Sequence, residues 1–93
     1  MDEIEGISLD GKKWKVVFVK KKEMPKKTWG DANDSTKTLR VRTDLSGQNF
    51  LDTLIHELLH AASYQLLSED WVEATASEIA RVIVKSGRVR FDD

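Results

Sequence analysis

Two imidazoles four residues apart, with a carboxylate beside the first, are the part of this sequence best equipped for chemistry. Both histidines of the chain lie in the segment His56-Glu57-Leu58-Leu59-His60. On a helix, residues four apart stack on one face, so the two rings can converge on one metal ion at about 2.0–2.1 Å. Glu57 projects about 100° further round the axis, close to the ion but not among its ligands. A carboxylate there can hydrogen-bond a metal-bound water, whose pKa the metal lowers, and take its proton as it attacks a carbonyl. These are the mechanics of the pattern H-E-x-x-H. The same spacing also arises on a solvated helix face or as a satisfied pair in a core, so the surrounding elements must decide.

A catalytic zinc site needs a third protein ligand and keeps a fourth position for water. The chain has no cysteine and no third histidine, so that ligand must be a carboxylate. Downstream the sequence offers Glu69, Asp70, Glu73 and Glu78. Glu69 and Asp70 are explained by the preference of a helix N-terminus for negative charge. Glu73 flanks the apolar positions Val72 and Ala76 among small residues that let two helices approach closely, which makes it the preferred ligand, with Glu78 as the fallback. Asp52, one turn before His56, is placed to support a ligand imidazole from behind.

The elements that would position these groups can be read in order. Asp10-Gly11 is a two-residue hairpin signal, preceded by Ile4 to Leu9 and followed by the strand-like run Trp14-Lys15-Val16-Val17-Phe18-Val19. Lys20 to Lys27, charged and holding the one proline, reads as a loop. Two extended segments, 28–32 and 38–43, flank the turn-forming cluster Asn33-Asp34-Ser35-Thr36. The second alternates apolar and basic residues, as a strand with one solvated face does. A helix capped by Ser46 is expected over about Gln48–Gln65, with Leu51, Leu54, Ile55, Leu58 and Ala62 facing the core. A second helix begins at Glu69 after the cap Ser68 and stops at Gly87, with Val72, Ala76, Ile79 and Ile83 as its buried stripe. The expected fold is α+β: a small antiparallel or mixed sheet of three to four strands packed on two helices, a single domain over residues 1–93.

Composition narrows the alternatives. With 93 residues, 40% apolar and 33% charged, the chain belongs with small globular domains, in which a bound metal matters to stability as well as to chemistry. The lack of cysteine excludes disulfides, thiolate metal sites and a cysteine nucleophile. No apolar run approaches the roughly 20 residues of a membrane span, and the acidic start Met1-Asp2-Glu3 does not read as a secretory signal, so no membrane association and a cytoplasmic location are expected. Residues 1–50 carry 11 basic and 8 acidic side chains, and residues 51–93 carry 4 and 8. The lysines at 12, 13, 15, 20, 21, 22, 26 and 27 form no recognised nucleic-acid motif, and read as the solvated side of edge strands.

With these elements in place, the sequence resembles the minimal gluzincin-type zinc metallopeptidases. Among them it is most similar to compact bacterial and phage domains related to repressor-cleaving peptidases, and more loosely to SprT-like domains. The resemblance covers about residues 28–84. It rests on His56, Glu57 and His60, and on Trp71-Val72-Glu73-Ala74-Thr75-Ala76, which looks like the family's E-x-x-A helix. It implies one zinc ion held by His56, His60 and Glu73, with Glu57 as general base, and a protein or peptide substrate. It also implies an edge strand beside the cleft to which an extended peptide adds, and Leu39, Arg40, Val41 and Arg42 stand at the matching position, the arginines favouring acidic side chains. Many zincins supply a further residue to stabilise the oxyanion. Tyr64, one turn after His60, is the candidate, although its position better suits a half-buried aromatic at the helix end. The competing function is a zinc-stabilised binding module that docks partners on its edge strand without cleaving them.

Overall fold

The computed structural model describes residues 3–63 and 66–89. Four strands, β1 (Glu3–Leu9), β2 (Lys12–Val19), β3 (Gly30–Asn33) and β4 (Thr38–Arg42), precede two helices, α1 (Gly47–Ala62) and α2 (Glu69–Lys85). The architecture is the α+β arrangement expected from the sequence, with a four-stranded mixed sheet.

The first hairpin turns as its residues dictate. Asp10 and Gly11 have φ of 50° and 78°, the two left-handed conformations that match the twist of a hairpin with a two-residue loop. The second turn is held by Asn33, whose Oδ1 accepts hydrogen bonds from the backbone N–H of Ser35 and Thr36. Between these turns the chain crosses over. β4 lies parallel to β2, and β3 returns antiparallel on the far side of β4, giving the order β1-β2-β4-β3.

That order corrects one expectation. The segment Leu39 to Arg42 is not an edge: β4 is hydrogen-bonded to β2 on one side and β3 on the other. Leu39 and Val41 are fully buried against the helices with Trp14, Val16 and Ala61. The opposite face of β4 is not simply solvated either. Arg40 Nε donates to Asp31 Oδ1 at 2.9 Å with a second contact from its other arm. Arg42, only 7% exposed, makes two hydrogen bonds to Asp44 at 2.8 and 2.6 Å beneath the loop that carries Met24 and Pro25. The Arg42 guanidinium holds the Asp44 carboxyl below its ordinary pKa. Both arginines are thus spent on internal pairs rather than offered to a partner.

α1 packs on the sheet through Phe50, Leu54, Leu58 and Ala61, a stripe at helical spacing set slightly round the axis from the one predicted. Phe50 meets Phe18 of β2 with ring centroids 5.9 Å apart. The helix ends at Ala62 rather than Gln65, and residues 64 and 65, including Tyr64, lie outside the described residues. α2 begins at Glu69 as predicted, with Ser68 Oγ accepting from the backbone N–H of Trp71 at 3.1 Å. Its buried stripe is Val72, Ala76 and Ala80. Ile79 faces outward instead, because three small or branched residues four apart let α2 lie close to α1. Among the described residues no helix is long and apolar enough to cross a membrane.

Candidate metal centre

The loop between the helices is short, so late residues of α1 face early residues of α2. This antiparallel register is visible in two contacts. Ser77 Oγ donates to Asp52 Oδ2 at 2.7 Å, and His60 Nε2 lies 2.8 Å from Glu69 Oε2. The other oxygen of the same carboxylate lies 2.9 Å from His56 Nε2. One turn of α1 separates the two rings, which meet edge to face with centroids 4.8 Å apart. A ligand atom from each of His56, His60 and Glu69 falls within 4.8 Å of the others, a group able to hold a metal ion. His56 and His60 are the pair expected from the sequence.

Glu69 replaces Glu73 in the observed group. The same register that sets His60 against Glu69 puts Glu73 level with His56, one turn further along, where it lines the cleft without joining the group. The sequence did hold a signal for Glu69. It stands three, seven and eleven positions before Val72, Ala76 and Ala80, on the side of α2 that faces α1, although its own side chain is 64% exposed. Explaining a first-turn carboxylate by the helix dipole alone hid that it also faces α1. Glu78 is elsewhere, exposed and paired with Arg81. Asp52 takes its hydrogen bond from Ser77, not from an imidazole.

Beside His56 lies an open cleft of about 570 Å³. One wall is Lys27, Thr28, Trp29 and Gly30, and the other is α1 and α2, with His56, Glu57, Glu69 and Glu73 among the lining residues. Glu57 sits where the helical geometry sends it, in the cleft next to His56. Burial, reinforced by the negative charges of Asp31 and Glu69, pushes its pKa up to about 7. Gly30 is the residue that sequence reasoning missed. A Cβ there would lie 2.9 Å from the Arg40 carbonyl oxygen, 3.0 Å from Thr53 Cγ2 and 3.1 Å from Glu57 Cγ. Only glycine lets β3 press this closely on α1 beside the Glu57 side chain.

The donor set suits a metal. Two imidazoles and a carboxylate are a donor set able to hold a divalent metal ion, and the group lies at an open cleft. Among the described residues the buried His60 Nδ1 has no hydrogen-bond partner, and the ring's Nε2 is held by Glu69. Leu39, Arg40, Val41 and Arg42 do not line the cleft. The edge strand beside it is β3, which pairs with β4 alone. Comparison with known protein families, with curated proteins and with solved structures gave no match, and function is therefore read from the site itself.

Proposed function

We propose that the chain is a zinc-dependent metallopeptidase in which His56, His60 and Glu69 hold the ion and Glu57 is the general base. The observation that carries this reading is the convergence of three ligand atoms within 4.8 Å of one another, next to a cleft containing a carboxylate with a pKa near neutrality. The resemblance to minimal gluzincin-type peptidases supports it, with the third ligand moved from Glu73 to Glu69. When bound, zinc supplies a Lewis acid that polarises a peptide carbonyl and lowers the pKa of a coordinated water.

The chain's own groups do the rest. His56 and His60 present Nε2, and Glu69 presents its carboxylate from the first turn of α2. Glu57 accepts a proton from the attacking water on a carboxylate oxygen and returns it to the amide nitrogen as the C–N bond breaks. Burial raises its pKa and a cation nearby lowers it, so the group can take and release a proton near neutral pH. The free edge of β3 offers backbone hydrogen bonds to an extended peptide of any sequence. Trp29, half exposed on the cleft wall, offers an apolar surface for one of its side chains.

The test is elemental analysis of purified protein combined with cleavage of an unstructured protein substrate. Glu57→Gln should keep its zinc and lose at least about 100-fold in turnover. His60→Ala and Glu69→Ala should lose the metal, and Glu73→Ala should retain most of it. Unchanged zinc content in His60→Ala, or wild-type cleavage by Glu57→Gln, would refute the proposal. Bound zinc without cleavage in any variant would favour the metal-stabilised binding module.

A further inference from the structure

We infer that Lys27 is the group that stabilises the oxyanion in the cleft, its ammonium donating a hydrogen bond to the carbonyl oxygen of the peptide under attack. The inference rests on the metallopeptidase reading and fills a role that this reading leaves without an owner among the described residues, since Tyr64 lies outside them.

The charges around the cleft show the need. Asp52, Glu57, Glu69 and Glu73 all line it, and Lys27 is the one lysine or arginine among the lining residues. A peptide oxygen that gains negative charge as its carbonyl turns tetrahedral is repelled by those carboxylates, and a donor fixed in advance beside it is worth more there than in bulk water. Lys27 stands on the wall opposite His56 and Glu57, so a peptide laid between the walls meets the base from α1 and the ammonium from the other side. Among the described residues no ion pair engages the Lys27 side chain, which leaves its donors for a substrate.

The backbone supplies a second, independent reason. Lys27 has φ 62° at the third position of a turn closed by the Thr28 N–H, which donates to the Pro25 carbonyl at 3.1 Å, a position where glycine is the default residue. Three non-glycine residues among the described ones adopt such a conformation: Asp10, Lys27 and Lys37. Aspartate tolerates it. Lys37 uses its side chain locally, with Nζ 3.2 Å from Asp34 Oδ1 and 5.6 Å from the Trp14 ring centroid. Lys27 has no such local partner, so nothing in its own turn offsets the strain, and strained residues of this kind gather at active sites. The turn is held on both sides, by Met24, which is buried, and by the Trp29 carbonyl, which accepts from the Arg42 N–H at 3.0 Å. The lysine is therefore carried on a fixed wall.

Steady-state cleavage of an unstructured protein, zinc content and thermal denaturation together separate this role from others. Lys27→Met, which keeps the bulk and loses the charge, should retain wild-type zinc and KM and lose about 100-fold or more in kcat. Lys27→Arg should recover part of that loss. Lys27→Gly should be as slow as Lys27→Met yet melt at or above the wild-type temperature, because glycine relieves the strained backbone. A readout without turnover is calorimetric titration of the zinc-loaded chain with an N-phosphoryl dipeptide, whose tetrahedral anion imitates the oxyanion: Lys27→Met should bind it about tenfold or more weakly. A raised KM with unchanged kcat would make Lys27 a contact to the ground state, and a Lys27→Gly melt several degrees below wild type would make it a structural residue. Either result overturns the inference, as does wild-type affinity of Lys27→Met for the phosphoryl peptide. A wild-type chain that holds zinc and cleaves nothing removes the peptidase reading itself, and this role with it.

Discussion

Glu69 reaches both histidines because three choices agree: Ser68 stops the loop, α2 starts at once, and its buried stripe points that carboxylate at α1. Glu57 is governed by burial instead, and the sign of its effect on stability follows. Its folded pKa of about 7 lies above the ordinary value of 4.5, so the folded state binds the proton more tightly than the unfolded chain does. Stability from this group is complete below the ordinary value and is lost as pH rises from about 4.5 to 7. In the presence of a chelator, the wild-type unfolding free energy from urea titrations should fall across that window by on the order of 2 kcal/mol, allowing for the partial exposure of the group. Glu57→Gln should flatten this component of the profile. A wild-type profile that rises over the same range would show that the cleft does not disfavour the carboxylate. At this scale His56 and His60 were legible, because their spacing alone sets them on one helix face, and Glu57 because it follows the first of them. The third member of the candidate group was not, because a first-turn acid has an ordinary explanation and only the inter-helix register distinguishes Glu69 from Glu73.

Between elements, the tightest join is that of β3 to α1 at Gly30. Gly30→Ala forces the Arg40 carbonyl, Thr53 and Glu57 apart, and overpacking of this kind costs about 1–3 kcal/mol. The proposed peptidase should lose turnover in this variant more than zinc content, since the alanine displaces the base and not the ligands. Thermal denaturation, zinc analysis and cleavage together separate those effects. Ser68→Ala removes the cap that fixes the start of α2, which should cost about 1 kcal/mol of stability. Zinc affinity should weaken with it, because Glu69 is the next residue. A calorimetric titration that shows wild-type affinity would mean the loop, and not the cap, places Glu69. The strands, both turns and both helices were legible from alternation, from Asp10-Gly11 and Asn33, and from the serines at the helix starts, of which Ser68 caps with its side chain and Ser46 marks the position without a side-chain hydrogen bond. Sheet order was not. A chain with an eight-residue strand followed by two short ones does not announce that the last will insert beside the first hairpin, and so the edge passed from β4 to β3.

For the molecule as a whole, the small core leaves a large share of stability to whatever binds the folded state. Zinc at a hundred times its dissociation constant should add about 2.7 kcal/mol, and for a domain of this size each kcal/mol moves the melting temperature by about 4–8 °C. Differential scanning calorimetry with and without zinc should therefore separate the two melts clearly, and His60→Ala should abolish the difference. The candidate metal-binding group is also compact in sequence, since His56, His60 and Glu69 fall within one helical hairpin, whereas the parallel pairing of β2 with β4 must wait for a long crossover. Closing the short loop costs little chain entropy compared with assembling the sheet. An ion captured by the nascent hairpin would then be present before the sheet exists, and the order of assembly during refolding would run from the chemistry outward to the scaffold.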